Sequence, residues 1–485
     1  MTTALLLRLE ARRNVGLWAW PALVGLALLF WYGDGLAWRV TFWAEASVLV
    51  RDGLILIGPG VAVIAAWMGG RERRRKMDDL LATTPRPPWA RWGVTWAATT
   101  LWGALAYVVA GAYLLVLAIQ HTTWGAPVMW PILVGLVAIP AYAAVGYALG
   151  SAIPSRFTVP LVAIALLVLT VAAGWGLGGA VSDGPTTKPS TLDALHYLSP
   201  VATLDSSVWY GVRPDVGWPE GLFLLGLTGL ALGGLALRNR RDRSGRGAWG
   251  ALLAGGSLAA AAVAILLGTS PPSALLLGAS RFSNVSYPLL ARYETPIPYT
   301  PVCAGAPVRV CVHPAYRSYL AAEAPIINRL VAPLLGVPGA PVRAEQRPHN
   351  EMGVIGRVLA FVPNNGNGAT DQTFFGPVAQ ALVANYMVDG RGLLPGTCPG
   401  DPTLQSCWDA QSAIGIWLVR QAGLRLDTVT IGGTVLHPYF GGADWSLTSV
   451  AADRFGKLGR DRQRAWLRAH YDALNKVHIR LQDIP

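Results

Sequence analysis

Seven histidines and four cysteines are the residues best suited to metal or covalent chemistry in this chain. His313, His349, His437, His470 and His478 all lie beyond residue 300. A zinc peptidase needs two His on one helical face with a Glu beside them, as HExxH or HxxEH, and neither pattern occurs. His349 and Glu351 make an HxE pair in a loop-like segment, which reads as a surface pair. No G-x-S-x-G marks a nucleophile elbow, and no G-x-x-x-x-G-K-[ST] loop offers backbone amides to a nucleotide phosphate. The cysteines form two close pairs, Cys303 with Cys311 and Cys398 with Cys407. In an oxidising compartment this spacing predicts two local disulfides, the alternative being four buried thiols. A CxxC zinc knuckle is excluded by the longer spacing. The chain is therefore expected to hold no metal and to be no enzyme by itself.

The elements that position these residues differ sharply along the chain. Of 485 residues, 53% are hydrophobic and 14% charged, against about 25% charged in a soluble domain. Mean hydropathy is +0.40. Residues 15–268 are dominated by Leu, Ala, Val, Gly and Trp, whereas 280–485 have a globular composition. One part suits lipid and the other water. The net charge of +12 is no sign of nucleic acid, because its arginines cluster beside apolar runs and no recognition motif accompanies them.

A spanning helix needs about 20 mostly apolar residues. Such stretches occur at 15–33, 48–69, 93–119, 128–150, 158–181, 220–237 and 248–268, with few charges inside. A cytoplasmic N-terminus puts the arginines of 71–76, Arg86, Arg91, Arg156 and those of 238–246 on the cytoplasmic side. The opposite loops, 34–47, 120–127 and 182–219, then carry only Arg39, Lys188 and Arg213. An odd number of spans leaves residues 269–485 outside, in agreement with the paired cysteines. The opening run LLLRLEARRN has apolar and basic residues at helical spacing, which suits an interfacial helix over 1–14 rather than a cleaved signal.

The loop between the second and third stretches, within 70–91, is charged at Glu72, Arg73, Arg74, Asp78 and Asp79, then apolar at Leu80 and Leu81, and is stopped by Pro85. Such a segment can press two Leu anchors into a cleft while its charges set orientation. This run resembles the signature of ABC exporter permeases of the ABC-2 class, here Glu72-Arg73, Asp79, Leu80-Leu81 and Thr84-Pro85. The resemblance covers about residues 1–240. It implies an interfacial helix, a six-span core at 15–247, a coupling loop docking on a nucleotide-binding subunit, and an outer re-entrant loop at 182–219. The span at 248–268 is an addition to that pattern. With no phosphate loop in this chain, ATP and Mg are expected on the partner subunit, and a second permease copy or paralogue completes a dimer in the cell membrane. The exported substrate would be a lipid, a peptide or a hydrophobic small molecule.

The expected outer domain, 269–485, is α+β. A disulfide-stapled hairpin is predicted at 298–314, a strand at 353–362, and helices at 315–335, 372–389, 407–423 and 460–478. The helices around 374–387 and 407–419 resemble the two zinc helices of gluzincin aminopeptidases, the thermolysin-related family. On that resemblance Gln380, Ala381 and Ala384 stand where HExxH would be, and Gln411 at the third ligand, which implies a degenerate peptidase. The alternative to transport is a membrane-tethered peptidase-like or binding scaffold whose outer domain carries the function.

Overall fold

The computed structural model describes residues 3–33, 42–75, 88–153, 155–175, 198–201, 208–212, 214–238, 245–266, 294–347, 352–361, 371–384, 398, 405–424, 429–431, 434–436 and 445–485. They form two compact units, one running to Ile297 and the other from Pro298 to Pro485.

The first unit is helical. Its elements are α1 (Thr3–Arg13), α2 (Gly16–Gly33), α3 (Trp43–Asp52), α4 (Leu54–Gly69), the single turn α5 (Arg71–Arg74), α6 (Pro88–His121), α7 (Met129–Ala152), α8 (Thr158–Trp175), α9 (Pro214–Arg238) and α10 (Gly245–Leu266). Among the described residues, five helical stretches are long and apolar enough to cross a membrane: Gly16–Gly33, Trp43–Gly69, Trp89–His121, Met129–Ala152 and Gly217–Arg238. Shorter apolar helices occupy Thr158–Ala172 and Trp249–Val263. This chain is a membrane-embedded helical protein.

The second apolar stretch is longer than its sequence pattern indicates. It starts at Trp43 and has one turn residue, Gly53, between α3 and α4. A Cβ there would stand 2.9 Å from the Trp31 ring, whose Nε1 donates to the Leu49 carbonyl at 3.1 Å. Glycine thus lets α2 wedge its indole against the junction. The stretch expected at 220–237 likewise begins earlier, at Pro214.

Apolar side chains gain little by leaving lipid, so close backbone packing must hold such helices together. α4 is buried along most of its length. On α7, Gly146 and Gly150 lie one turn apart, where any Cβ would strike the backbone at Ala62 and Ala66 of α4. α9 and α10 meet in the same way. A Cβ on Gly226 would stand 2.7 Å from the Gly255 carbonyl oxygen, and the converse distance is also 2.7 Å. Strand β1 (Tyr210–Val212), just before α9, pairs antiparallel with β2 (Glu294–Pro296), and Ile297 N donates to the Trp209 carbonyl at 2.8 Å. β2 therefore belongs to the helical unit, and the described part of the second unit starts at Pro298.

The second unit is α+β. Strands β3 (Val302–Ala304), β4 (Arg309–Val312), β5 (Arg343–Gln346), β6 (Gly353–Ile355) and β7 (Val358–Phe361) form a sheet in the order β3-β4-β5-β7-β6. The central pairs β4–β5 and β5–β7 are parallel, and both edge pairs are antiparallel. Helix α11 (Arg317–Val331) makes the crossover from β4 to β5 that a parallel pair requires. The single strand expected at 353–362 is a hairpin. Gly356 and Arg357 turn it with φ of +54° and +67°, the pair of positive values that a two-residue type I′ turn needs.

Helices α12 (Asp371–Val383), α13 (Gln405–Gln421), α14 (Trp445–Lys457) and α15 (Arg460–Asn475) follow, with a small hairpin of β8 (Val429–Ile431) and β9 (Thr434–Leu436). α13 is buried from Asp409 to Val419, the pattern of a central core helix. Its Gln411 Nε2 donates to the Leu474 carbonyl at 2.8 Å, and the Tyr471 hydroxyl donates to the Leu382 carbonyl at 2.6 Å. These bonds tie α13 and α12 to α15.

Cys303 is bonded to Cys311 and Cys398 to Cys407. Cys303 and Cys311 face each other in the β3–β4 register, as a strand-pair staple must. Each bridge closes a loop of 8 or 9 residues, for which chain entropy predicts roughly 2–3 kcal/mol of stabilisation. Reducing either bridge in the full-length protein is expected to lower its unfolding free energy by that amount, and its midpoint accordingly. An unchanged midpoint after reduction of both counts against their being structural.

His313 follows β4 and is fully buried. Its Nδ1 accepts the Ala315 amide at 3.2 Å, and its own amide donates to Gln346 Oε1 at 2.9 Å. Burial pushes the imidazole pKa from 6.5 down to about 4. Its contribution to stability is therefore complete above pH 6.5 and is lost as pH falls towards 4, because the unfolded chain binds the proton first. The loss should be a few kcal/mol at most. His313→Gln should flatten the stability–pH curve between pH 6.5 and 4, and an unaltered slope would show that another group titrates there.

Candidate functional site

Two polar clusters join distant parts of the helical unit, one at each end of α4. The first is built on Arg51, the penultimate residue of α3. Its Nη2 donates to Glu220 Oε1 on α9 at 2.9 Å and to the Ser199 carbonyl at 3.0 Å, and its Nε donates to the Pro200 carbonyl at 2.8 Å. The two side chains are 1% and 2% exposed. One guanidinium thus clasps three segments, α3, 198–201 and α9. Arginine suits this place because its planar fork spreads several donors and its charge is permanent. An ion pair inside an apolar bundle is expensive to desolvate, so it persists only with good geometry and satisfied donors. Two carbonyls and a carboxylate supply both. The cluster is filled by the chain's own groups, so it acts as a clasp and not as a ligand pocket.

About 16 residues of helix, roughly 24 Å, separate Arg51 from the second cluster. Here Arg71 Nη2 donates to Glu10 Oε1 at 2.8 Å, and the Thr95 hydroxyl donates to the same oxygen at 3.1 Å. Asn14 Nδ2 donates to Thr99 Oγ1 at 2.9 Å, and Trp102 Nε1 donates to the Ala11 carbonyl at 2.9 Å. These bonds dock α1 along the start of α6 and fix the first residue of the loop that follows α4. The Glu10–Arg71 pair is partly exposed and adds little stability by itself. What it supplies is geometry.

Of the loop residues singled out by sequence, Glu72, Arg73 and Arg74 lie on α5, with Arg73 and Arg74 exposed. Arg74 folds back, its guanidinium 4.1 Å from the Trp67 ring centroid and donating to the Trp67 carbonyl. Asp78, Asp79, Leu80, Leu81 and Pro85 lie outside the described residues, as does most of 182–219. In the second unit Ala381 and Ala384 are buried in the core, Gln380 is half-buried, and the Gln411 amide is used in the tie to α15. His349, Glu351 and His437 are outside the described residues. Among the described residues, no group of three or more His, Cys, Asp or Glu is gathered as a metal site would require.

Sequence reasoning missed the Arg51–Glu220 clasp. The signal was present: Arg51 is the fourth residue of the second apolar stretch and Glu220 opens the sixth. Charges at such positions read singly as interfacial residues, and only the folded bundle brings the two side chains together as partners. Compared with known proteins, the chain matches no family model, and neither a curated protein nor a solved structure matches it.

Proposed function

We propose that this chain is the membrane-spanning permease subunit of an ATP-driven exporter of the ABC-2 class, working with a separate nucleotide-binding subunit that holds ATP and Mg. The observation that carries this reading is the junction at Glu10. It joins an amphipathic N-terminal helix, the start of the 70–91 loop and the third long helix through Arg71 and Thr95. A push on that loop would be delivered to α1, α4 and α6 together, which is what a coupling element requires. The loop's own composition, charges followed by Leu80-Leu81 and a proline stop, suits docking in a protein cleft. On this reading the arginine-rich loops are cytoplasmic, and the disulfide-bonded unit lies in an oxidising space outside. The outer unit then serves binding or structure and not peptide cleavage, because buried Ala381 and Ala384 stand where the gluzincin resemblance would put zinc ligands. A lipid, a peptide or a hydrophobic small molecule would be the cargo, carried by a dimer of permease chains.

The test is purification of the tagged chain from its native membrane in mild detergent, with mass spectrometry and ATP hydrolysis as readouts. A stoichiometric ATPase chain is expected. Its absence under all extraction conditions, with the permease chain intact, would overturn the proposal.

A further inference from the structure

A cluster of exposed cations without ion-pair partners among the described residues lies on the last two helices. Arg460, Arg464 and Arg468 recur every fourth residue of α15, so they form one stripe, and Lys457 ends α14 immediately before it. All four are exposed. Among the described residues none of them enters an ion pair, whereas Arg420 and Lys476 of the same unit hold Asp453 and Asp472. Helix stability does not account for the stripe. Like charges four residues apart repel, and cations in the first turn oppose the helix dipole. Asp461 is the one acidic residue between Arg460 and Arg468, and it neutralises little of the charge. This arrangement costs α15 stability and is suited to an external anionic partner.

Chain connectivity indicates which partner. Pro298, with which the described part of this unit begins, lies two residues beyond the end of β2. β2 is hydrogen-bonded to β1, and β1 ends five residues before the apolar stretch that begins at Gly217. Five residues reach at most about 18 Å, and a unit of this length has a radius of gyration of about 16 Å. The short tether keeps this unit at high local concentration near lipid headgroups.

We propose that the Lys457–Arg468 corner docks on anionic phospholipid headgroups of the membrane face from which β2 emerges. Guanidinium groups bind phosphate oxygens through paired charge-assisted hydrogen bonds, and clustered basic residues gain attraction additively near an anionic surface. The inference stands apart from the exporter reading, since it involves neither the ATPase nor the loop at 70–91.

The test uses the full chain in nanodiscs, with a fluorophore on Ala465→Cys beside the stripe and a quencher on the lipid headgroups. Ala465 is exposed, and the described native cysteines are held in disulfides. Quenching is expected in discs containing phosphatidylglycerol and not in phosphatidylcholine alone. It should vanish in 1 M salt, where the Debye length is about 3 Å. Arg460→Gln, Arg464→Gln and Arg468→Gln combined should lower the docked-to-undocked ratio roughly a hundredfold without lowering the unfolding midpoint. Equal quenching in neutral and anionic discs, or undiminished quenching in the triple variant, overturns the proposal. So does a fluorescence response to soluble polyphosphate with none to anionic lipid, which would assign the corner to a dissolved polyanion.

Discussion

Replacing Glu220 by Leu is expected to destabilise the helical unit by about 3–5 kcal/mol, the largest effect of any single substitution considered. The carboxylate is 2% exposed and is the charged acceptor of the Arg51 guanidinium, whose other acceptors among the described residues are the Ser199 and Pro200 carbonyls. Without it, a permanent positive charge stays buried with only neutral acceptors. Glu220→Gln should fall between wild type and Glu220→Leu, because the amide oxygen can still accept the guanidinium N–H while the charge goes unanswered. Arg51→Met combined with Glu220→Leu removes both charges and should recover most of the loss, since a buried pair is often no better than its apolar replacement. Recovery of stability should not restore the clasp. The double variant no longer holds the 199 and 200 carbonyls, so proteolysis or hydrogen exchange around 198–201 should rise even where the unfolding midpoint is normal. A Glu220→Leu midpoint within about 0.5 kcal/mol of wild type, the range of an ordinary surface change, would mean that the pair is not buried as described.

The clasp also shows where sequence stops being informative. Apolar length is a local property, and it marks the helices from Gly16 to Leu266. Cysteine spacing is equally local, and Cys303 and Cys311 are register partners across one hairpin. Glu220, by contrast, lies 169 positions from Arg51, and nothing near either residue names the other. The same holds for Glu10 with Arg71, and for Gln411 with the Leu474 carbonyl. The hairpin at Gly356-Arg357 was hidden for another reason. Arginine rarely takes positive φ, so Gly-Arg does not read as a turn, although Arg357 is held there by its carbonyl oxygen, which accepts from the Val342 amide at 2.9 Å. The glycines of α7, α9 and α10 are visible in sequence as small residues. Which backbones they bring together, Gly226 against Gly255 for instance, becomes apparent only in the packing.

On the exporter reading proposed above, changing Leu80 and Leu81 together to Asp is expected to abolish association with the proposed ATPase subunit while leaving the protein folded. Both leucines follow a run of charged residues in a loop that the Glu10–Arg71 bond holds at the end of α4. If they anchor in a protein cleft, burial of each contributes about 1.5–3 kcal/mol. Two aspartates forfeit that gain and bring unpaired charges to an apolar surface, at a cost of several kcal/mol more. A micromolar association amounts to about 8 kcal/mol, so the combined change is enough to eliminate it. The variant should keep the wild-type expression level, both disulfides and the wild-type unfolding midpoint, because the substitutions lie outside α4 and α6. Arg73→Ala, an exposed position on α5, serves as the comparison. It should weaken association only modestly, since a single rim charge acts mainly on the association rate. Co-purification of the ATPase with the double-Asp variant at wild-type stoichiometry would show that the loop is not the coupling element. Loss of association together with loss of fold would point instead to a structural role for the two leucines, and the unchanged midpoint required here separates the two outcomes.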